Sequence, residues 1–396
     1  MLGNIVKNPH GTLSKTYTTN GTEIVNVSRY KNIEIVRNVS QPHIYGATWA
    51  GGSSSAWTRT DEAAGITEPV PYYAGMSGSP QSFFDSVMPW AGMRRVTDAT
   101  AGELVEIPKF WYKWTRSGTS MQLQIADAPV GGFLVSPAHA DRGDGVGERD
   151  FVYIGRYHCA SDYKSKTGVT PKNTITRATF RSNIHNLGAN VWQQDFALFW
   201  TIRMLYLVEF ADWNSQAKIG YGCCTTANSI ANTGSSDAMP YHTGTMQTGR
   251  TTYGLGTQYR YIEGLWENER EFCDGIYCSG TDVYCIKNPA NFSDNTGGTK
   301  TGTRSTKAEG YISAWNTPSA EGFEYALFPS AANGAASTYI CDLYYYSSGG
   351  TNCITGGSWA KSTNFGLFFI DSDYDATASR GYIGSRLMVL PSAQIK

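Results

Sequence analysis

The chain has few charged residues and no long apolar run. Lys, Arg, Asp and Glu together make up 16% of its 396 residues, and the formal net charge is −1. Without a basic stripe, the sequence offers no electrostatic support for a nucleic-acid partner. No stretch of 18 apolar residues occurs, and the first residues, MLGNIVKNPHG, do not form the apolar segment of a signal peptide. We therefore expect a soluble protein without membrane insertion or classical export.

The spacing of cysteine and histidine gives no support for a metal site. Eight Cys occur, none of them as Cys-x2-Cys, and the six His are scattered. We therefore expect no structural zinc and, in a chain without export, buried free thiols rather than disulfides. Asp371-x-Asp373-x-Asp375 is similar to the start of a calcium loop, but Ala376 and Tyr382 stand where an EF-hand needs Gly and Glu. The sequence predicts no metal and no cofactor.

The remaining composition favours strands and loops, since the chain holds 43 Gly, 25 Tyr and 11 Trp. Apolar and aromatic runs predict strands at 104–114, 121–125 and 151–157. Capping residues followed by apolar positions near 3.6 spacing predict helices at 173–187 and 192–213. Two helices followed by a loop-rich region of mixed strands indicate an α+β domain.

One acidic residue lies in the apolar stretch of the second predicted helix. Glu209 at this position favours a buried ion pair over a general acid. Its candidate partners are Arg177, Arg203 and Arg386.

The pattern along the chain predicts three parts. Residues 1–45 contain short apolar/polar alternations, typical of strands, but are too few to bury a core of their own. They are expected to form a β-rich arm for oligomerisation or attachment. Residues 46–84 are rich in Gly, Ser, Thr and Pro and are expected to form an ordered connector. Residues 85–396 form the main domain.

The segment from 337 to 386 is rich in residues that antibodies use in their binding loops. It holds six Tyr, eight Ser, seven Gly and two Asn among 50 residues. Tyr gives a large rigid contact area, while Ser, Gly and Asn adapt by hydrogen bonding. The composition indicates a recognition surface displayed between groups of framework residues. These anchor groups are Cys341-Asp342, Gly356-Gly357-Ser358-Trp359, Gly366-Leu367-Phe368 and Ile383-Gly384-Ser385-Arg386-Leu387.

Two stretches resemble known families. Residues 261–275, YIEGLWENEREFCDG, resemble the G-N-V-W-E-W strand of the formylglycine-generating-enzyme branch of C-type lectin folds. The anchor groups resemble the framework of variable proteins of diversity-generating retroelements, a family that includes the phage major tropism determinant and shares the lectin fold. The resemblance covers roughly residues 85–392. It implies a C-type lectin fold domain whose C-terminal variable region spans about 337–389.

The resemblance also implies a function. It indicates a receptor-binding protein of a phage tail tip, assembled in the host cytoplasm and carried in the virion. Its implied partners are a bacterial cell-surface protein or glycan and other virion tail proteins, with a homotrimer formed through the N-terminal arm. The ligand-binding positions would lie between the anchors: Leu343, Tyr344, Tyr345, Tyr346, Asn352, Ile354, Ser362, Asn364, Phe369, Asp371, Asp373 and Tyr374.

Strand geometry limits how the three consecutive tyrosines can point. Successive residues of a strand face opposite sides, so Tyr344, Tyr345 and Tyr346 cannot all point inward. We expect at least one of them at the surface, where clustered tyrosines form natural contact sites.

Two other functions remain open. A structural tail or baseplate protein would have the same fold with a fixed surface. A formylglycine-generating-enzyme-like oxidase would need a closely spaced cysteine pair to hold copper, whereas Cys341 and Cys353 lie twelve residues apart. We therefore predict a binding protein and no enzyme.

Overall fold

In a computed structural model of the chain, residues 41–224, 230–249, 256–359 and 364–392 are described, together with the backbone of three earlier strands. The chain divides into two units, Met1–Pro42 and His43–Lys396. The first holds a three-stranded antiparallel sheet in chain order. Its strands are β1 (Gly3–Lys7), β2 (Leu13–Thr19) and β3 (Thr22–Val25). Part of the alternation of apolar and polar residues in 1–45, at residues 33–36, lies outside the described residues.

The second unit is a mixed α+β structure, as predicted, and strands predominate in it. Its helices are α1 (Arg177–His185), α2 (Phe196–Phe210) and α3 (Ser215–Lys218). Its strands are β4 (Ile44–Trp49), β5 (Thr58–Asp61), β6 (Tyr72–Ala74), β7 (Arg94–Asp98), β8 (Gly102–Pro108), β9 (Trp111–Ser117), β10 (Ser120–Ala126), β11 (Leu134–Val135), β12 (Phe151–Gly155), β13 (Val191–Gln193), β14 (Gly244–Thr248), β15 (Thr257–Tyr259), β16 (Ile262–Glu263), β17 (Arg270–Cys273), β18 (Ile276–Ser279), β19 (Asp282–Cys285), β20 (Thr299–Thr303), β21 (Glu309–Tyr311), β22 (Ala314–Trp315), β23 (Pro329–Ala331), β24 (Leu343–Tyr346), β25 (Cys353–Thr355), β26 (Ile370–Ser372), β27 (Ile383–Gly384) and β28 (Leu387–Val389).

Both long helices begin at side-chain caps. The Thr176 hydroxyl accepts the Thr179 N–H at the start of α1, and the Asp195 carboxylate accepts the Leu198 N–H at the start of α2. The two helices predicted from the sequence are therefore confirmed, with shorter bounds. The second one starts late because residues 191–193 pair with β28 as a strand instead.

Helix α2 lies at the centre of the core. All fifteen of its side chains are buried, which identifies a helix surrounded on every side. Trp200 packs edge-on against Trp114 of β9 and Trp315 of β22, with ring centroids 6.4 and 5.4 Å away. The helix therefore joins the sheet that contains β9 to the C-terminal half of the second unit.

The strand predicted at 104–114 is in fact two strands in different sheets. Strand β8 ends at Pro108, which carries no N–H for continued pairing. It belongs to the sheet β13-β28-β12-β8-β7, while β9 belongs to β11-β9-β10-β4-β5. The hairpin of β9 and β10 turns at Ser117-Gly118, where Gly118 has a φ of 58°. A Ser-Gly pair between two strand-forming runs is typical of such a turn.

The predicted connector lies within the second unit rather than ahead of it. Residues 46–84 contribute β4, β5 and β6, and β4 pairs with β10 along six residues. Trp49 and Trp57 in this stretch are buried against Trp213, at ring-centroid distances of 5.7 and 5.1 Å. Its Gly- and Ser-rich composition obscured these strands, because the apolar contacts come from a few large aromatic residues.

The C-terminal segment, residues 337–389, supplies four strands of a six-stranded sheet. The strand order is β21-β24-β26-β25-β17-β27, so β24 and β26 lie side by side in parallel and β25 pairs with the much earlier β17. The sheet therefore ties residues 343–384 to the stretch 270–273.

A buried arginine connects this sheet to the rest of the unit. The Arg386 guanidinium lies 2.7 Å from the Glu271 carboxylate and donates to the carbonyls of Gly155, Arg156 and Glu263. His158 lies 3.0 Å from the same carboxylate oxygen of Glu271. Arg386 therefore bridges β17, β12 and the C-terminal segment.

The predicted ion pair of Glu209 exists, but with another partner. Glu209 is fully buried and pairs with Arg260 at 2.6 Å, and Tyr259 and Ser82 also donate to it. The candidates were wrong: Arg177 pairs with Asp294, Arg386 with Glu271, and Arg203 donates to backbone carbonyls. Arg260 is 51 residues away along the chain, so no local pattern indicated it.

All eight cysteines are buried free thiols, as expected from the sequence. Among the described residues, none of the helices combines the length and apolar character needed to span a bilayer.

We expect Arg386→Gln to lower the free energy of unfolding by about 3–5 kcal/mol, because it leaves the buried Glu271 carboxylate without its main partner. Urea denaturation would measure the loss. The matched control is Lys166→Gln, which breaks a pair with Asp162 in which both side chains are nearly half exposed. That change should cost about 0–1 kcal/mol. Equal losses in the two variants would contradict the central role of Arg386.

Candidate functional site

The anchor groups form the buried part of the C-terminal segment. Each of their described side chains is buried except that of Trp359, which is half-buried. The Asp342 carboxylate accepts the N–H groups of Gly366 and Phe368, at 2.7 and 2.8 Å. It thereby joins the first and third anchor groups, 24 to 26 residues apart. Most anchor residues are therefore buried, and two of the four anchor groups are joined through Asp342.

A second buried charge supports the sheet from one side. Arg270 of β17 pairs with Asp371 of β26 at 2.5 Å, and both side chains are buried. The Arg270 guanidinium also lies 5.0 to 5.8 Å from the ring centroids of Tyr345, Phe365, Phe369 and Tyr382. Cations over aromatic rings are attracted to their faces. Arg270 therefore holds residues from four parts of the segment in one layer.

A third arginine holds the loop after β24. Arg304 donates to the carbonyls of Ser347, Gly350, Ser372 and Gly280, at 2.7 to 3.2 Å. The loop from 347 to 350 is therefore fixed through its backbone.

The twelve predicted ligand-binding positions divide into two groups. Six side chains are buried and pack within the chain: Leu343, Tyr344, Asn352, Ile354, Phe369 and Asp371. Five are partly accessible: Tyr345, Tyr346, Asn364, Asp373 and Tyr374. Ser362 lies outside the described residues. The buried six have no surface to offer a ligand in this conformation, because they pack against Arg270, the core or neighbouring backbone.

Alternation along β24 separates the three tyrosines, as expected. Tyr344 is buried in the main core, and its hydroxyl donates to the Ser305 carbonyl. Tyr345 points to the opposite side, against Phe365 and Phe369. Tyr346 returns to the side of Tyr344 and lies against Arg304. The expectation that at least one of them reaches the surface is confirmed.

The accessible side chains around Tyr345 form a continuous surface, here termed the C-terminal face. Two hydrogen bonds link its members: Tyr311 to Asn364 and Tyr374 to Tyr382, each at 2.8 Å. Arg270, below, links Tyr345 to Tyr382. The C-terminal face consists of Tyr311, Tyr345, Asn364, Asp373, Tyr374 and Tyr382.

Sequence reasoning missed three residues of this site. Tyr382 lies eight residues after Tyr374, the last predicted ligand-binding position. It belongs to the same Tyr-rich stretch, so that composition could have indicated it. Tyr311 reaches the C-terminal face through β21, which pairs with β24 from outside the segment. Arg270 lies within the stretch 261–275, where its charge was not considered as a support for distant rings.

An open depression flanks the C-terminal face. It encloses about 320 Å³ and is lined by Asp373, Tyr374, Asp375, Thr377, Ala378 and Arg380. The buried Asn352 amide donates to the Asp375 carbonyl at 2.6 Å, and the Asn352 N–H donates to the Tyr374 carbonyl at 3.0 Å. The walls of the depression are therefore held in place from beneath. One carboxylate oxygen of Asp373 is buried and has no hydrogen-bond partner among the described residues.

Burial changes the acid–base behaviour of the supporting carboxyl groups. It raises the pKa of Asp342 to about 7, although the N–H groups of Phe368 and Gly366 and the charge of Arg203 oppose the rise. It also holds the pKa of Asp371 well above its ordinary value, against the opposing charge of Arg270. Two carboxyl groups that support the C-terminal face therefore have raised pKa values.

The described residues contain no group of three or more His, Cys, Asp or Glu placed to hold a metal ion. No family model matches the chain, and the comparison with curated proteins found no match. The site is therefore defined by its own geometry: accessible tyrosines and polar groups above buried, charged supports.

We expect the wild-type protein to lose unfolding free energy relative to Asp342→Asn as pH rises from about 4 to about 7. The folded-state pKa of Asp342 is raised to about 7 from 3.8, so its stabilising contribution is complete only below the lower value and is lost through the higher one. Urea denaturation at a series of pH values would measure the difference.

Asp375→Asn is the control, since its exposed carboxyl has a lowered pKa, through the Thr377 hydroxyl and N–H. The stability that Asp375 contributes is lost only as pH falls below its ordinary value. This variant should therefore run parallel to the wild type from about pH 5 to 7. A flat difference for Asp342→Asn would contradict the buried titration.

Proposed function

We propose that this chain is a receptor-binding protein of a phage tail, and that the C-terminal face contacts a molecule on the surface of the host bacterium. The observation that carries the proposal is the division of residues 337–389 into buried anchors and accessible tyrosines. Tyr and Asn at an accessible, rigidly supported surface favour recognition of another molecule. Rigid supports also lower the ordering cost of binding.

We propose further that the second unit has a C-type lectin fold of the kind used by variable proteins of diversity-generating retroelements. Support comes from the largely buried anchor groups, two of which are joined through Asp342, and from the stretch 261–275, which contributes β17 to the same sheet as the C-terminal strands. In this proposal the N-terminal three-stranded unit forms a trimer. Several copies per virion would then turn weak single contacts into firm attachment.

The oxidase alternative has less support from the cysteine positions. Cys353 lies opposite Cys273 across the pair β25–β17, while the Cys341 thiol lies 3.9 Å from the Tyr339 carbonyl. Cys341 and Cys353 therefore have different neighbours. A structural protein with a fixed surface is the remaining alternative, and the binding experiment below distinguishes it.

We expect the double variant Tyr345→Ala, Tyr374→Ala to lower binding to host cells by at least about tenfold, since accessible tyrosines at an interface centre each contribute roughly 1–2 kcal/mol or more. The measurement is adsorption of particles that carry the variant, or binding of the labelled purified protein to cells. Near-UV circular dichroism would establish that the fold is kept.

Tyr73→Ala is the matched control, a half-buried tyrosine of β6 outside the C-terminal face. Its binding should stay at the wild-type level. Unchanged adsorption in the double variant would overturn the proposal. Absence of host binding by the wild-type protein would favour the structural alternative.

The neighbouring DNA offers an independent test of the diversification part of the proposal. We expect a reverse-transcriptase gene beside a near-copy of the last coding segment that differs from it at adenines. The differing codons should fall at accessible positions such as Tyr345, Asn364 and Tyr374. Differences confined to the buried anchors would contradict it.

A further inference from the structure

Two carboxyl groups meet where the C-terminal face adjoins the depression. Asp371 of β26 is fully buried, whereas Asp373, two residues later, is partly accessible and lines the depression. Residues two apart along an extended strand point to the same side, so the two side chains are neighbours. The Asp373 N–H also donates to the Asp371 carboxylate at 3.0 Å. The pair therefore connects a buried support with the accessible surface.

A buried oxygen of Asp373 lacks a donor. Its Oδ1 has no hydrogen-bond partner among the described residues. The Asp371 carboxyl group lies within hydrogen-bonding reach of it: burial raises the pKa of Asp371, Arg270 lowers it, and the contact with Asp373 raises it further. Ionised carboxyl groups carry acceptors alone, so two carboxylates cannot bond to each other. One proton between them supplies the missing donor.

The balance of charge also favours one proton at this position. Arg270 lies 2.5 Å from Asp371, and both side chains are buried. With one proton on the two carboxyl groups, one negative charge faces one positive charge. Without that proton the site would hold an excess negative charge, which is costly where water is scarce. Two carboxyl groups in one site retain a proton for this reason.

Tyrosines and one isoleucine flank the two carboxyl groups. Tyr345 of β24 stands beside Asp371, and burial raises the pKa of Tyr345 to about 12. Tyr374 is hydrogen-bonded to Tyr382, and burial raises the pKa of Tyr374 above its ordinary value. On the other side of β26, Ile354 stands opposite Asp371. The charged groups beyond them are Arg304 at the Ser372 carbonyl, Glu309 opposite Tyr345, and Asp375 and Arg380 in the depression.

We propose that Asp371 and Asp373 share one proton, and that this proton regulates the shape of the C-terminal face. The regulatory part rests on the function proposed above for that face. When the pH rises and the proton leaves, the two carboxylates repel each other. Arg270 holds Asp371, so Asp373 turns toward solvent and the wall of the depression moves with it. The face then presents a further negative charge beside Tyr374.

Infrared spectroscopy at neutral pH tests for the proton directly, because a protonated carboxyl group and a carboxylate absorb at separate frequencies. Asp373→Asn and Asp371→Asn should each lose the intensity of about one protonated carboxyl group, since the amide donates in place of the shared proton. Asp375→Asn is the matched control, an exposed carboxyl group with a lowered pKa, and should keep that intensity. Unchanged intensity in Asp373→Asn, or in both variants, would overturn the shared proton.

Urea denaturation at a series of pH values tests the linkage between this proton and folding. The folded pair keeps a proton that the unfolded chain releases near the ordinary value of 3.8. The wild type should therefore lose stability relative to Asp373→Asn as pH rises above about 4, by up to about tenfold in the unfolding constant per pH unit. Asp342 is present in every variant, so its titration cancels. A constant difference across the series would contradict the shared proton.

Host-cell binding over the same pH range tests the regulation. Binding of the wild type should weaken several-fold as the proton leaves, whereas binding of Asp373→Asn should stay constant with pH. An equal pH dependence in the two proteins would overturn the regulation. Absence of host binding at every pH would overturn the proposed function and the regulation with it, whereas the shared proton is decided by the infrared spectra alone.

Discussion

The structure depends most on the buried contact between Arg386 and Glu271. Burial would raise the pKa of Glu271, but Arg386 and His158 outweigh it and lower the pKa to about 2. Both charges therefore persist in the interior, where neither can be left alone without a large cost. Because the same guanidinium reaches the carbonyls of Gly155, Arg156 and Glu263, the pair also sets the position of β12 relative to the C-terminal sheet.

Buried polar groups join distant segments of the second unit. Arg260 with Glu209, Arg270 with Asp371, and Asp342 with two N–H groups each join segments that are distant in sequence. Such contacts are directional, so they select one arrangement of loops that have little regular structure. A loop-rich surface can thereby be as well defined as a strand.

Much of this organisation could be predicted from local patterns. Thr176 and Asp195 marked the two helix starts, and the anchor groups around Asp342 and Arg386 marked the base of the C-terminal segment. Local patterns failed where long-range contacts decide. Phe369 and Asp371 have the same spacing as display positions, yet they are buried because they pack against Arg270, about a hundred residues earlier. The partner of Glu209 and the strands hidden in 46–84 were missed for the same reason.

Arg304 holds its loop through carbonyl oxygens, and every amino acid carries one. The side chains of residues 347–349 can therefore be exchanged without loss of that attachment, whereas a Cβ at Gly350 would lie 2.0 Å from the Ser372 carbonyl oxygen. The Asp342 carboxylate also accepts backbone N–H groups, but a Cβ at Gly366 would lie 2.6 Å from it, so that contact requires glycine. The contact of Arg304 with residue 347 does not depend on which side chain that residue carries. The chemistry of the loop surface can therefore change while its backbone position is kept. This loop can accept substitutions at its accessible side chains, because its position depends on backbone atoms that those side chains do not supply.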